Sequence, residues 1–262
     1  MASLRGPLAD ATETLHSWRI WNLLALQDIR QRYRRSMLGP FWLTLSAVVS
    51  IGALALVYTR IFKIPAEQYL PFLSVGFIFW IFLSSLIVES CGVFIQSESI
   101  IKQISLPFGV HVMRMVWRNA LVLAHNAVVL VLVLVFMGLN PGLNGLLVAP
   151  ALALALVAGL ALGYLLGTLS ARFRDIPPIV ASLMQVLFYV TPVIWTPDLL
   201  KDHPALLLWN PVYHFLEILR APVLGKPGPA ESWMAAAAIT VALLVAALPF
   251  FARFRKRIAF WL

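Results

Sequence analysis

Charge is scarce in this 262-residue chain: 12% of its residues are Asp, Glu, Lys or Arg, about half the share usual in a water-soluble domain. With 61% apolar residues and a mean hydropathy of +0.88, the surplus apolar surface has to face lipid, and the chain reads as a polytopic membrane protein. Cysteine is reduced to Cys91, set in an apolar run, which excludes an internal disulfide and leaves no Cys-based metal spacing. No GxxxxGK(S/T) phosphate cradle, HExxH, GxSxG or paired-carboxylate motif occurs, so no nucleotide-hydrolysing, metal or nucleophilic chemistry is legible. Acids number 11 against 20 Lys and Arg, a net charge of +9. A nucleic-acid reading needs that charge on a soluble basic face, and there is none. The first residues, Met1–Thr14, mix Arg5, Asp10 and Glu13 without an apolar stretch. The expectation is that the first spanning helix, rather than a cleavable leader, directs insertion.

What is present is a set of long uncharged runs. Phe41–Thr59 ends near Arg60 and Lys63, and Leu70–Val88 continues past Glu89 to about Ile95. No charged residue stands between Arg118 and Arg172, too long for one helix of about 20 residues; Gly138-Leu139-Asn140-Pro141-Gly142 divides the interval as a tight turn. Two further runs follow, the earlier opening on Pro177-Pro178, where missing backbone donors cost least. The expected fold is all-α, one membrane domain over 1–262 with six spans at about 41–62, 70–95, 115–137, 146–171, 176–197 and 232–252. Six spans place both termini on one side. Of the 20 Lys and Arg residues, fifteen fall on that side's connections and five on the other's, which makes the basic side, and both termini, cytoplasmic.

Three segments are more than spans or plain loops. Residues 15–37 read as a helix with Trp18, Trp21, Ala25, Ile29 and Tyr33 on one face and Arg19, Gln27, Arg30 and Arg34 on the other. Asn22 and Arg32 intrude on the apolar stripe. Tryptophans opposite arginines describe a helix lying in the membrane interface. It is either an anchor or a contact for substrate. In Asp28–Trp42, DIRQRYRRSMLGPFW, four arginines (Arg30, Arg32, Arg34, Arg35) crowd into six residues before Gly39-Pro40 opens the first span. The connection Gln96–Arg114 starts polar and then spaces Ile100, Ile101, Ile104 and Leu106 helically up to Pro107. A short amphipathic helix over 97–107 follows, suited to lipid or to a partner's groove. Asp198–Glu231 holds two apolar patches shorter than a span, around Asn210-Pro211, the pattern of a re-entrant or interfacial segment.

Inside the spans, Glu89 is an expensive carboxylate. Pairing with Arg118, or with Arg114, is favoured over a proton-coupling role, which would call for more than one buried acid. His125-Asn126 in mid-span is expected to hydrogen-bond between helices. Aromatics gather near the outer ends of the spans, among them Tyr58, Tyr69, Phe79, Trp80, Tyr189, Trp195 and Tyr213. Belt and packing roles account for most, although flat rings also suit sliding contact with the C–H faces of sugars.

RYRRSMLGPFW, the cytoplasmic SIIKQISLPF, SARFRDIP after the fourth span and NPVYHFLEILRAPVLG outside, in that order around six spans, resemble the permease subunit of ABC-2 type polysaccharide exporters over about residues 20–260. Such permeases move O-antigen, capsular polysaccharide or teichoic acid across the bacterial cytoplasmic (inner) membrane. The resemblance implies a homodimer with two separate ATP-binding subunits that hold ATP and Mg, so that this chain would carry no cofactor, metal or catalytic residue of its own. It further implies a lipid-linked (undecaprenyl-pyrophosphate) glycan as cargo, with Arg30, Arg32, Arg34 and Arg35 facing the pyrophosphate. Glu98, Ile101, Lys102, Leu106 and Pro107 would form the coupling helix toward the ATPase. Residues 198–231 would be the outer gate, and aromatics such as Tyr58, Tyr69, Phe79, Trp80, Tyr189, Trp195 and Tyr213 would line the path. O-antigen or capsule is the favoured cargo. The alternatives are a permease for teichoic acid, lipid or drug, or a membrane glycosyltransferase or flippase acting alone.

Overall fold

The computed structural model describes residues 7–32, 41–200, 202–203 and 205–262, and among these every regular element is helical. Eleven α-helices follow in order: α1 (Pro7–His16), α2 (Trp18–Arg32), α3 (Phe41–Phe62), α4 (Ala66–Gly92), α5 (Glu98–Gln103), α6 (Phe108–Phe136), α7 (Val148–Arg172), α8 (Ile176–Val190), α9 (Ala205–Leu208), α10 (Pro211–Val223) and α11 (Ala230–Trp261). Five, namely α3, α4, α6, α7 with the 3-10 turn before it, and α11, are long and apolar enough to cross a membrane.

The expected first span coincides with α3, because Gly39-Pro40 and the Arg60–Lys63 pair punctuate both its ends. Others differ in instructive ways. The helix expected at 115–137 begins at Phe108, since Pro107 supplies the helix-starting residue and Arg114 and Arg118 ride inside the helix rather than in a loop. The last helix runs on to Trp261, carrying Arg253, Arg255, Lys256 and Arg257 as further turns. The run at 176–197 is helical only to Val190, 15 residues or roughly 22 Å, short of a bilayer's hydrocarbon thickness. Thr191 precedes Pro192 and is extended, the conformation that a following proline imposes. Residues 7–16 form a helix of their own, and a turn at Ser17 separates it from α2, so the expected single helix over 15–37 is divided. Thr14 back-bonds to Asp10 O at 2.6 Å and a His16 ring nitrogen meets Thr12 O at 2.9 Å, side-chain contacts that loosen a helix from within.

α4 is the hub, buried along most of its length and packed by α3, α6, α7, α8 and α10. α7 packs most extensively on α11, and turns small residues toward α4 and α6. Ala151, Ala155, Ala158 and Ala161 are buried, and a Cβ on Gly163 would stand 2.6 Å from Val112 Cγ1 of α6. Small residues permit close approach where apolar burial alone gives no drive for helices to associate in lipid.

Two ends of the bundle can be told apart. At one, the α6–α7 turn meets the loop after α10 (Asn144 Nδ2 to Gly225 O, 2.8 Å) and Tyr69 donates to Ile194 O at 2.5 Å. At the other lie α1, α2, α5 and the last turns of α7 and α11, where Arg172 stacks on Trp261. The N-terminal helices and the end of α11 therefore share the basic end.

The segment after α8 folds back into the bundle. Asn210 caps α10, accepting from Val212 N (3.0 Å) and Tyr213 N (3.2 Å), and Pro211 follows at the first helical position, where a proline is pre-organised. Ten of the 13 residues of α10 are buried. Its first residues line the same cavity as Leu83 and Leu86 of α4, well over halfway along that helix, while Arg220 lies over the Phe72 ring at 4.0 Å. Arg220 also donates to Pro192 O at 2.6 Å and pairs with Glu217. The non-helical carbonyls after α8 are thus satisfied by Arg220 and Tyr69, as irregular backbone inside a membrane domain requires.

Replacing Gly163 by Leu should force α6 and α7 apart and lower stability by about 1–3 kcal/mol through overpacking. Thermal unfolding of the purified protein in detergent measures this, with loss of the folded protein the extreme outcome.

Candidate functional site

Three short arrays converge at the basic end: the first turns of α6, the packed face of α2 and the last turn of α4. Asp28 on α2 is gripped by two arginines one turn apart on α6. Arg114 Nε donates to Asp28 Oδ2 at 2.8 Å while its Nη2 meets Oδ1, a two-pronged pairing that the planar guanidinium favours. Arg118 Nη1 donates to Asp28 Oδ2 at 2.5 Å. Its Nη2 turns the other way, to Glu89 Oε2 of α4 at 2.8 Å. Asn119 Nδ2 reaches the same Glu89 oxygen at 2.7 Å and Met115 O at 3.0 Å. Two carboxylates and two guanidiniums on three helices make one connected clasp, all with side chains less than a fifth exposed.

Glu89 and Arg118, joined in the sequence reading, are in contact. The alternative partner, Arg114, turns to Asp28 instead. Asp28 sits on the packed face of α2, as does Asn22, which accepts from Trp117 Nε1 at 2.8 Å. The polar intrusion at Asn22 is thus an anchor to α6. Trp21 stacks edge-on against Trp117, centroids 5.8 Å apart, and Ala25 is fully buried. Trp18, expected on that face, is 52% exposed.

Farther along, α1 caps α6. Pro107 offers no side-chain cap, and Asp10 takes that place, accepting from Phe108 N at 3.0 Å and Gly109 N at 3.1 Å. A carboxylate there also suits the positive end of the helix dipole. Burial pushes the Asp10 carboxyl up, against these two amides and the charge of Arg255, which hold it down. For Asp28, burial also pushes upward, but the Arg114 and Arg118 guanidiniums outweigh it and the carboxyl lies below its usual range. Neither residue stood out in the sequence; Arg114 and Arg118, spaced one helical turn apart, were the available signal.

α5 spans six residues, fewer than the expected 97–107, with none buried. Lys102 bridges to Glu98 at 2.6 Å, and that hydrogen bond holds the exposed Glu98 carboxyl below its usual range. Ile104 is extended, so Leu106 and Pro107 fall outside α5, with Pro107 the residue that starts α6. Ile101 lies partly buried against the core. Of the arginine cluster, Arg30 is exposed on α2 and Arg32 closes that helix, while Arg34 and Arg35 lie outside the described residues.

The aromatics divide. Tyr69, Phe79 and Trp80 are packed in the core with at most 6% exposure, Tyr58 packs against it, and Tyr213 is half-buried. Tyr189 is 65% exposed and its carbonyl accepts from Trp195 Nε1 at 3.0 Å. His125 and Asn126 do not form the interhelical hydrogen bonds expected of them: His125 Nε2 and Asn126 Oδ1 are buried with no protein partner among the described residues, and the His125 ring packs on Phe41 instead, centroids 5.7 Å apart.

Residues 20–224 match the family model of the ABC-2 type transporter. A protein of Myxococcus xanthus named O-antigen export system permease protein RfbA is 27% identical over 244 residues, covering 90% of this chain and 92% of the relative. A Klebsiella pneumoniae protein of the same name is 26% identical over 192 residues, 71% of this chain and 73% of its own length.

Because Asp28 has a folded-state value below its ordinary 3.8, the stability it contributes is complete above that pH and is lost as pH falls through the lower, folded value. Thermal unfolding in detergent should therefore show the clasp intact at pH 5. Asp28→Asn, which strips two guanidiniums of their shared carboxylate, should cost about 2–3 kcal/mol, below the fully buried limit. Glu89→Gln keeps an acceptor oxygen for Arg118 and Asn119 and should cost less.

Proposed function

Since the chain belongs to the ABC-2 type transporter family, we propose that it is the membrane-spanning subunit of an exporter that carries a lipid-linked polysaccharide, with O-antigen favoured, across the bacterial cytoplasmic membrane. The observation that carries this reading is the full-length likeness to the M. xanthus permease, 92% of whose length is matched. ATP and Mg belong to separate ATP-binding subunits, and two copies of this chain pair with two of those. Both termini are cytoplasmic, in keeping with the basic end that α1, α2 and the end of α11 share.

The work of the ATPase enters at α5. Its Glu98–Lys102 face and the exposed Ile104 beyond it (55% exposed) form an amphipathic foot of the kind a partner groove accepts. Four residues separate the end of α5 from α6, whose first turns are tied to α1, α2 and α4 by Asp10, Asp28 and Glu89. A push on α5 is thereby delivered to α2, which bears Arg30 and Arg32 and precedes Arg34 and Arg35 in the sequence. Guanidinium forks match the oxygens of a pyrophosphate, and tryptophans opposite arginines in this stretch of sequence suit the membrane interface. α8–α10 form the re-entrant outer gate, with the start of α10 at mid-depth and Arg220 as its internal strut. The second copy covers the apolar outer face of α3, where Phe41, Trp42, Val49 and Leu56 are exposed.

Neutralising Arg32, Arg34 and Arg35 together should cut surface polymer at least tenfold, about the loss of one charge-assisted contact. Co-purification of the ATPase should be unchanged; normal export by the folded variant would defeat the pyrophosphate assignment. Deleting the gene should leave the finished lipid-linked polymer on the cytoplasmic side of the membrane. Loss of polymerisation would instead indicate synthesis, and unaltered surface polymer would point to another cargo.

A further inference from the structure

Between α6 and α7 the bundle holds a groove of about 340 Å³ whose lining carries no polar or charged side chain. α6 contributes a stripe from Ala120 to Leu134 and α7 one from Val148 to Leu156, with Phe79 and Phe82 of α4 at the floor. The two phenylalanines are buried, whereas Ala124 and Val131 on the α6 side are exposed. The groove is therefore closed toward the bundle and open at its flank. α3, whose outer face falls to the second copy, contributes nothing to it.

Water is a poor occupant, since a buried water needs about two to four polar partners. Both walls belong to helices long and apolar enough to span, so the opening faces lipid. From Ala120 to Leu134 α6 rises roughly 21 Å, more than one leaflet of a hydrocarbon core about 30 Å thick. A single acyl chain can lie in the groove lengthwise.

At the end away from the clasp the groove meets a cation. Pro141, in the α6–α7 turn, is part of the lining, and the loop after α10 packs on that turn. Asn144 Nδ2 donates to Gly225 O at 2.8 Å, and a Cβ on Gly225 would stand 3.5 Å from Asn140 O. The next residue, Lys226, is exposed and forms no ion pair among the described residues. Residues 137–147 hold no charged side chain, so the turn beside Lys226 offers it no counter-charge. An apolar slot with an unpaired ammonium at its mouth complements an amphiphile that joins an acyl chain to a phosphate.

We propose that the α6–α7 groove is a binding site for one membrane phospholipid of the leaflet away from the basic end, with an acyl chain in the groove and the phosphate at Lys226. The inference needs only the spanning helices and does not depend on what the exporter carries.

Photo-crosslinking tests it. The full-length protein is reconstituted into vesicles of phosphatidylethanolamine and phosphatidylglycerol that include a trace of phosphatidylethanolamine bearing a diazirine on one acyl chain. Labelled peptides are then located by mass spectrometry. The expected result is labelling of α6 between Ala120 and Leu134 and of the facing turns of α7, several-fold above that of the exposed flank of α11 at Val241 and Val245. Lys226→Gln should lower the groove yield about fivefold, the effect of one basic residue on a phosphate near a membrane surface, and Lys226→Arg should restore it. Ala124 stands at the exposed rim, so Ala124→Trp fills the groove without displacing a packed side chain. It should abolish groove labelling in a protein that still unfolds at the wild-type temperature. Equal labelling of groove and α11 flank would mean ordinary bilayer contact only and would overturn the site, as would wild-type yield in either variant. No label in the groove at all would give it to a protein partner and overturn the site equally.

Discussion

A charge inside an apolar slab has to find a counter-charge, and in this protein that requirement fixes which helices touch. Glu89 on α4 is met by Arg118 and Asn119 of α6. Arg118, two-handed, then needs a second carboxylate, and Asp28 supplies it from a helix that does not itself cross the bundle. Arg114 completes the set. The clasp carries little net charge and contributes less stability than its number of contacts suggests, because desolvation offsets much of the Coulomb attraction. Its effect is one of registry: α2 has one position along α6 at which both arginines are satisfied. Asn22 with Trp117, and Asp10 at the first amides of α6, fix that same register from either side.

This arrangement gives α6 an unusual standing. It begins four residues after α5, receives three attachments from the chain's first 28 residues, and then passes through the bundle beside α4. Helices joined this way shift as units, since packed elements slide and hinge rather than stretch. The proposed coupling path needs no added device: the link from foot to interfacial helix is the same set of contacts that positions α2. α10 shows the same economy at the far end, where one buried arginine both satisfies a stray carbonyl and spaces the helix from Phe72.

Much of this architecture can be read from the residues. The ends of α3 follow from Gly39-Pro40 and the basic pair beyond, and the α6–α7 turn follows from its glycines and Pro141. The short helix after α8 follows from Asn210-Pro211, a cap and a first-turn proline. The errors share a cause. Charged residues were read as loop residues, which started α6 too late at Met115 and ended α11 too early at Ala252. At the basic end, arginines continue a helix where neighbouring elements supply counter-charges, as Asp28 and Glu89 do for Arg114 and Arg118. Asp10 and Asp28 were overlooked because their partners lie 98 and 86 residues away, and no local spacing encodes such a pair. The aromatics were located by sequence, but burial sorted them: Tyr69 and Trp80 pack inward and Tyr189 does not, a division set by neighbouring helices.

The cap on α6 has a bearing on how the protein is made. Asp10 is made before the amides it holds, at Phe108 and Gly109, which follow 98 and 99 residues later. Helix α1 therefore has no seat until α6, the helix it packs on, has been made. A chain that stopped before Gly109 would leave Asp10 without the amides it caps.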